Sequence, residues 1–313
     1  MSFPASSSVI ADQTAMHAAI ALADKGWQIS PPNTLRSLFD VVFDWTIIYV
    51  AAWAEYRVGA CIMVLTIFII GNRQRALGNL LHEASHQNLS ARRNVNDWIG
   101  QFMLAPPLVA NLAAYRFQHA RHHAWLGDPV RDPDYLRPTP YTSHWLAAYA
   151  RMVCDASTWI GSLLGHLAGK RLSLPQRLTI VLWWSAHETL LCLFADWHYA
   201  ILFLAMWITA KATVFHAITT FREMSDHYGL ESGGIIRHTR ETPDLGVLSV
   251  LLHPHHNGYH LTHHLFPHIP YYHLPNAHAR LKQVPSFNQL AIVCDAYVNG
   301  PHASVNGWGE NHD

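Results

Sequence analysis

The sequence predicts an all-α integral membrane protein with about four transmembrane helices in two hairpins and a cytosolic, histidine-rich helical cap. Half of the 313 residues are hydrophobic and 13% are charged, whereas an average soluble protein has roughly 25% charged residues. Apolar runs of nearly spanning length occur in two pairs. The 24 histidines outnumber the 21 lysines and arginines, and more than half of them fall within 82–86, 119–123 and 253–278.

The polar segment 1–35 is interpreted as an N-terminal cytosolic lead-in with one amphipathic helix near 12–25. Residues 36–313 are predicted to form one membrane domain, since no repeat or linker divides them. The formal net charge is zero, so the composition does not indicate a basic surface for nucleic acid.

Four apolar runs are predicted to span the membrane, near 36–54, 57–75, 177–195 and 198–216. Short polar breaks at 55–57 and 196–198 separate the two members of each pair. Each run alone is short for a span, which needs about 20 residues. Extending the second run through "RQRALGNLLHEASHQ" gives one helix that carries two histidines out of the membrane.

The segments outside these spans, 76–176 and 217–313, are predicted to form the cytosolic cap. Positively charged residues mark the cytosolic ends of spans, and four of them follow the second apolar run closely: Arg73, Arg75, Arg92 and Arg93. An even number of spans then places both termini and the active site in the cytosol, with a bacterial inner membrane as the expected location.

Three short motifs, "HEASH", "HARHH" and "GYHLTHHLFPHIP", place histidines at helical offsets. Their histidines are, in order, His82 and His86; His119, His122 and His123; and His260, His263 and His264. Residues three and four apart share one face of a helix, so the imidazoles of each motif can point at a common centre. Eight imidazoles are too many for one metal ion but suit two ions. All-imidazole sites fit Fe, Zn, Cu or Ni by ligand type, and the large ligand number favours iron.

The first motif also fits H-E-x-x-H, in which two helical histidines bind zinc and the glutamate acts as the general base of a protease. A membrane zinc metalloprotease is therefore a distant alternative. It would use His82, His86 and one further ligand, because catalytic zinc typically takes three protein ligands, and it leaves the other two motifs unexplained. In the two-metal alternative, Glu83 is an outer hydrogen-bond partner or a structural residue.

In order and spacing, these motifs resemble the three histidine boxes of the membrane di-iron fatty acid desaturase and hydroxylase superfamily. "HEASH" looks like the first box, "HARHH" like the second and "NGYHLTHHLFPHIP" like the third. The resemblance covers most of the chain and implies a four-span fold whose cytosolic cap holds two Fe²⁺ ions between the boxes. Within the superfamily, the sequence also resembles the bacterial branch that contains dihydrorhizobitoxine desaturase.

Members of the desaturase branch use a ninth histidine after the fourth span, and the resemblance assigns this role to His227 in "FREMSDHYGL". A metal-bound imidazole normally donates its other N–H to an acceptor, and the neighbouring Asp226 is a candidate for that acceptor. The loop "GDPVRDPDY" after the second box either forms a Pro/Asp turn or accepts histidine N–H groups. Its aspartates are Asp128, Asp132 and Asp134, of which Asp134 is included in the predicted site.

The resemblance implies an O2-dependent oxidoreductase that acts on unactivated C–H bonds. Removal of two hydrogens makes the protein a desaturase of an acyl or alkyl chain or of a lipid-like metabolite. Insertion of oxygen makes it a hydroxylase or ketolase, a monooxygenase on the same scaffold, with an alkane, a carotenoid or a small amphiphilic metabolite as substrate.

The electrons for this chemistry are expected from another protein. The sequence has no H-P-G-G pattern of a fused cytochrome b5, no Gly-rich dinucleotide fingerprint and no four-cysteine set for an iron–sulfur cluster. A separate ferredoxin or cytochrome-type carrier, reduced by an NAD(P)H reductase, is therefore the implied partner.

Overall fold

The computed structural model describes residues 5–137, 144–167 and 172–309. These residues form fifteen α-helices and two very short strands, which confirms the predicted all-α class. In chain order the helices are α1 (Ser7–Ala23), α2 (Thr34–Val58), α3 (Met63–Ser85), α4 (Arg93–Ile99), α5 (Leu112–Ala124), α6 (Trp145–Val153), α7 (Ala156–Leu164), α8 (Leu174–Phe194), α9 (Trp197–Ala210), α10 (His216–His227), α11 (Ile235–His238), α12 (Val247–Leu252), α13 (His260–Leu265), α14 (Leu274–Leu281) and α15 (Pro285–Leu290). The strands β1 (Arg240–Glu241) and β2 (Ile292–Val293) pair in parallel.

Shorter helical segments join some of these elements. Two π-helical segments, Gly100–Leu104 and Lys211–Phe215, continue α4 and α9. Three 3-10 turns lie at Ala60–Ile62, Gly165–Leu167 and Tyr271–His273. The π-helical segment after α9 leads directly into α10, so Trp197–His227 is one continuous helical stretch.

The chain forms two compact units, each assembled from several segments. The histidine-rich unit consists of Met1–Pro32, Arg116–Met152 and Thr220–Asp313. The apolar-helix unit consists of Asn33–Tyr115 and Val153–Thr219.

The boundaries of these units do not coincide with those of the predicted lead-in and cap, which stay predictions. Helix α1, from the predicted lead-in, packs against α11, α13 and α15 of the histidine-rich unit. Residues 76–115 and 153–176 were expected in the cap but belong to the apolar-helix unit. For the first of these ranges the reason is that α3 continues unbroken from the apolar run to Ser85. Parts of the predicted lead-in and cap, at 138–143, at 168–171 and at both termini, lie outside the described residues.

In the apolar-helix unit, α2 packs against α3, and α9 packs against α2, α3 and α8. Helix α2 ends before Gly59, whose φ of 91° is a left-handed conformation that glycine adopts without a steric penalty. Helix α9 begins after Asp196, whose carboxylate accepts hydrogen bonds from the backbone N–H groups of His198 and Tyr199. The predicted break at 196–198 therefore coincides with the start of α9, whereas the predicted break at 55–57 lies in the last turn of α2, just before Gly59.

Within the described residues, three helical stretches are long and apolar enough to cross a membrane: Thr34–Val58, Ala60–Ser85 and Trp197–His227. They contain the predicted spans 36–54 and 198–216 and most of the predicted span 57–75. The remaining predicted span, 177–195, corresponds to α8, which has 21 residues. Helix α8 includes Arg177, His187 and Glu188, and these polar side chains lower its mean hydropathy. The chain thus has the helices of a membrane protein, while the number of four spans stays a prediction.

Large apolar side chains form the core of the histidine-rich unit. Phe221, Met224 and Tyr228 recur at helical spacing along α10 and just beyond it, and they pack with Tyr297 and Trp308 from the C-terminal segment. Burying a side chain of this size contributes roughly 1.5–3 kcal/mol to stability. This packing fixes α10, whose last residue is the predicted ninth ligand.

Candidate metal centre

The first histidine pair lies at the C-terminal end of α3 in the apolar-helix unit. His82 is buried in the last turn, and His86 directly follows the helix, with their ring centroids 5.0 Å apart. Nδ1 of His82 donates to Oε1 of Glu83 at 3.2 Å, and Oε2 of Glu83 accepts from Nδ2 of Asn88 at 3.2 Å. Glu83 therefore makes the contact expected of an outer hydrogen-bond partner of His82.

Four buried histidines of the histidine-rich unit form one group. They are His122 on α5, His227 at the end of α10, and His260 and His264 on α13. Each offers one nitrogen, and these four atoms all lie within 4.8 Å of one another. Nε2 of His260 lies 2.9 Å from Nε2 of His227 and 3.1 Å from Nε2 of His264.

These distances fit a bound metal ion. The single Nε2 proton that a neutral His260 can carry would satisfy only one of its two Nε2 neighbours, whereas a cation attracts all the lone pairs at once. With metal–nitrogen bonds of about 2.1 Å, two ligands at right angles lie about 3.0 Å apart. The donor set is all imidazole, which suits a divalent transition metal.

Two of the four imidazoles have their outer nitrogen held by an acceptor. Nδ1 of His122 donates to Oδ1 of Asp132 at 2.9 Å. Nδ1 of His227 donates to the backbone carbonyl oxygen of His238 at 2.8 Å. Each bond keeps a proton on Nδ1 and leaves the Nε2 lone pair available to a metal ion.

The Asp/Pro loop supplies the acceptor for His122. Asp132 is buried and is itself held by the backbone N–H groups of Gly127 and Asp134, at 3.0 Å and 2.9 Å. Asp128 instead accepts from the backbone of the turn that follows it. Both alternatives for this loop thus occur, at different aspartates. The Asp134 side chain is exposed. Asp134 contributes to the site through its backbone N–H, which donates a hydrogen bond to Asp132.

Burial and charge act in opposite directions on this pair. Burial disfavours the charged imidazolium, but the charge and hydrogen bond of Asp132 outweigh burial and raise the pKa of His122. Burial also disfavours the charged carboxylate, but His122 outweighs it and lowers the pKa of Asp132. Burial and the surrounding imidazoles hold the pKa of His264 well below its usual value. His264 is therefore neutral, which is the form that binds a metal ion.

Three other histidines of the same unit form a second group. Nε2 of His123 lies 3.0 Å from Nε2 of His119 and 3.2 Å from Nε2 of His263, and the three candidate ligand atoms lie within 4.8 Å of one another. The second and third motifs are therefore each divided between two groups. The i and i+4 histidines of a motif stay together, and the remaining histidine faces the other group.

Asp226 lies beside the four-histidine group but does not accept the hydrogen bond of His227. Nη1 of Arg222 donates to Oδ2 of Asp226 at 2.9 Å, and that oxygen lies 3.6 Å from Nε2 of His260. Oδ1 lies 3.4 Å from Nε2 of His253. The hydrogen bond from Nδ1 of His227, predicted to go to Asp226, goes to the backbone carbonyl oxygen of His238.

Sequence reasoning missed Glu241, which is fully buried in β1. Its carboxylate accepts hydrogen bonds from the backbone N–H of Thr262, at 2.8 Å, and from the Thr262 hydroxyl. Nδ1 of His278 lies 2.7 Å from Oε1. Because Thr262 lies in the first turn of α13, Glu241 satisfies an otherwise unpaired donor at the start of the helix that carries three predicted ligands. Because Glu241 lies outside the third motif, no local sequence pattern identifies it as a partner of α13.

Every predicted metal ligand lies in the region that matches a known family. The model of the fatty acid desaturase family matches residues 58–295. The chain is also similar to dihydrorhizobitoxine desaturase of Bradyrhizobium elkanii, with 25% identity over 297 residues, which cover 88% of this chain and 83% of that protein. These matches confirm the resemblance to the superfamily and to its bacterial branch. By its histidine motifs and by these matches, the chain is an oxidoreductase that belongs to the fatty acid desaturase family.

Proposed function

We propose that this protein is an O2-dependent di-iron desaturase that introduces a C=C bond into an acyl or alkyl chain or a lipid-like metabolite. The observation that carries the proposal is the four-histidine group, in which four buried imidazole nitrogens lie within 4.8 Å of one another. Two of these rings have Nδ1 fixed by an acceptor. Such an arrangement favours a divalent cation over any set of contacts among the rings themselves.

The proposal assigns nine histidines to two Fe²⁺ ions. They are His82, His86, His119, His122, His123, His227, His260, His263 and His264. His122, His227, His260 and His264 bind one ion. The short contact between Nε2 of His227 and Nε2 of His260 supports the inclusion of the ninth histidine.

When bound, the two iron ions supply the activation of O2 and the oxidising power for an unactivated C–H bond. The residues of the chain hold the rings in place. Asp132 fixes the ring of His122, the carbonyl of His238 fixes that of His227, and Glu241 holds the first turn of α13.

An external electron donor is part of the proposal. Desaturation removes two hydrogens from the substrate, and reducing O2 to two waters needs two further electrons and two protons. We propose that a ferredoxin or cytochrome-type carrier, reduced by an NAD(P)H reductase, delivers these electrons on the cytosolic side of a bacterial inner membrane. In this topology the chain has four spans with α8 as the third, and both termini and the active site face the cytosol.

A hydroxylase or ketolase would use the same ligands, and the two reactions differ in the product. A zinc metalloprotease built on "HEASH" has less support, because a complete four-histidine group lies outside that motif. Near-stoichiometric zinc without iron, in protein from iron-supplied cells, would favour the protease.

The decisive experiment is expression in a host with an active ferredoxin system, followed by metal analysis and mass spectrometry of lipids and metabolites. We expect two iron ions per chain and a product that has lost two hydrogens; a gain of one oxygen would identify a hydroxylase. The variant His264→Ala should lose iron and product. His268→Ala is the matched control, because His268 is exposed and close in sequence, and it should retain both.

A further inference from the structure

Helix α1, in the histidine-rich unit, is hydrogen-bonded to the ends of three other helices. These are the C-terminal end of α5, the N-terminal end of α11 and the C-terminal end of α13. Backbone groups at a helix end have no partner within the helix and need one from elsewhere. Helices α5 and α13 carry members of the four-histidine group, and α11 supplies the carbonyl that fixes another member.

At α13, two side chains of α1 contact the last carbonyl oxygens of the helix. Nε2 of Gln13 donates to the carbonyl oxygen of His264 at 3.0 Å, and Nε2 of His17 donates to that of Leu265 at 3.2 Å. The ring of His17 also stacks on Phe266, with an angle of 3° between the ring planes. Since His264 belongs to the four-histidine group, these contacts hold the backbone of a proposed ligand.

At α5, the contact is made by the backbone. The N–H of Ser6, directly before α1, donates to the carbonyl oxygen of Ala124 at 2.8 Å. Ala124 is the last residue of α5, and His122 lies in the same last turn. This hydrogen bond therefore holds the turn that carries a second proposed ligand.

At α11, the contact reaches His227 through one intermediate group. Oδ2 of Asp12 accepts a hydrogen bond from the backbone N–H of Ile236, in the first turn of α11, at 3.1 Å. An acceptor at this end stabilises a helix, because it satisfies an N–H group that has no partner within the helix. At the other end of this four-residue helix, the carbonyl oxygen of His238 accepts the hydrogen bond from Nδ1 of His227. Asp12 thus holds the helix whose carbonyl orients His227.

The packing of α1 fixes its position relative to these helix ends. Gly234, directly before α11, has a φ of 117°, which glycine adopts without a steric penalty. A Cβ atom added to Gly234 would clash with the carboxylate of Asp12. On α1 itself, Val9, Met16 and Ile20 are buried. Apolar packing and a close backbone approach therefore hold the helix where its polar groups reach their partners.

We propose that α1 is a positioning element of the metal site, in which Asp12 and Gln13 set the orientation of His227 and His264. The inference rests on the proposed function, since it concerns ligands of one proposed ion. The supports of His122, His227 and His264 come from distant parts of the chain, and α1 is bonded to each of them. A metal ion requires all its ligands in the correct geometry at once, so supporting contacts affect its affinity.

The test is a titration of the purified full-length, metal-free protein with Co²⁺, whose visible absorption reports the number and geometry of its ligands. We expect Asp12→Ala and Gln13→Ala each to weaken Co²⁺ binding about three- to tenfold, as for the loss of one hydrogen bond, and to alter the absorption spectrum. Asp12→Asn keeps an acceptor oxygen and Gln13→Lys keeps an N–H donor, so both should bind Co²⁺ within about twofold of the wild type. Thr14→Ala is the matched control, because Thr14 is an exposed residue of the same helix.

Two further measurements separate positioning from general stability. Val284→Ala removes buried apolar atoms of the same unit at a residue outside these contacts. It should lower the melting temperature while the Co²⁺ affinity and spectrum stay as in the wild type. In metal-free protein, backbone hydrogen exchange should be faster at 235–238 in Asp12→Ala and at 260–266 in Gln13→Ala.

Two results would overturn the proposal. One is Co²⁺ binding by Asp12→Ala and Gln13→Ala that equals binding by the wild type. The other is an equally large loss of affinity in Val284→Ala at an equal loss of melting temperature, which would assign the effect to stability alone. Wild-type protein that binds neither Co²⁺ nor Fe²⁺ would instead refute the proposed function on which this inference rests, and it is a different result from equal binding by all the variants.

Discussion

At His122, a single outer acceptor sets the properties of a proposed metal ligand. Asp132 fixes the tautomer of the ring through the bond to Nδ1 and raises the pKa of His122 through its charge. Replacing Asp132 with asparagine removes the charge while keeping the size. Loss of such an outer partner typically costs 10–100-fold in metal affinity.

We therefore expect Asp132→Asn to bind iron roughly 10–100-fold more weakly than the wild type, as measured by competition with a chelator. Asp128→Asn is the control, because Asp128 accepts hydrogen bonds from the backbone N–H groups of Val130 and Arg131 in the same loop. Equal losses in the two variants would show that the loop conformation matters rather than the contact with His122.

The raised pKa of His122 also predicts a pH dependence. A histidine must be neutral to bind a metal ion, and His122 stays protonated to a higher pH than an ordinary histidine. Iron affinity of the wild type should therefore decrease as the pH falls through this raised pKa. In Asp132→Asn the decrease should move to lower pH. Iron-binding isotherms between about pH 6 and pH 8 measure it, and identical profiles for the two proteins would contradict it.

Glu241 acts at a distance from the proposed metal by holding α13. Glu241→Gln weakens the contacts with Thr262 and His278 and should destabilise the protein by about 1–3 kcal/mol, with a partial loss of iron. Thermal unfolding and metal analysis measure the two effects. Glu231→Gln, at an exposed glutamate, should change neither, and an unchanged melting temperature in Glu241→Gln would argue against the capping role.

At the scale of the elements, the close contact between α3 and the π-helical segment Lys211–Phe215 predicts how a substitution at Gly71 changes the stability of the protein. Gly71→Ala places a methyl group 2.5 Å from Cβ of Val214, and overpacking of this kind typically costs about 1–3 kcal/mol. The melting temperature should fall. Gly161→Ala in α7 is the control, since nothing lies within 4 Å of its added Cβ. The control should be neutral or slightly stabilising, and similar effects of the two changes would refute the packing argument.

The elements were predictable to the extent that their cause is local. The apolar runs predicted α2, α3 and α9, and the polar break at 196–198 predicted the turn at Asp196. The division of "HARHH" between two groups was not predictable, because His119 shares a helix face with both His122 and His123 until the direction of α5 is known. The span predicted at 177–195 stays a prediction, because Arg177, His187 and Glu188 lower the hydropathy of α8 and it is not among the three apolar stretches.

At the scale of the whole molecule, the nine histidines indicated the family. The packing inside each unit, however, depends on contacts between segments that are distant in sequence. Nε2 of Gln13 donates to the carbonyl oxygen of His264 at 3.0 Å. The ring of His17 stacks on Phe266 with centroids 4.4 Å apart. The segment interpreted as a lead-in thus supports the third histidine motif, and no spacing rule connects residues so far apart in sequence.

The whole protein should also respond to its metal. A ligand that binds only the folded state stabilises that state by mass action, and the four-histidine group exists only in the fold. Removing iron with a chelator should lower the melting temperature, and adding Fe²⁺ back should restore it. The stabilisation should be lost in His264→Ala and kept in His268→Ala. A melting temperature that is independent of iron in the wild type would contradict the proposed centre.

The unbroken course of α3 restricts how this protein can change during evolution. Each residue inserted between Arg75 and His82 would rotate the first histidine pair by about 100° and shift it by about 1.5 Å relative to the apolar part of the helix. Replacing a side chain in this stretch leaves both the angle and the depth intact. Insertions and deletions here should therefore be far rarer among relatives than substitutions.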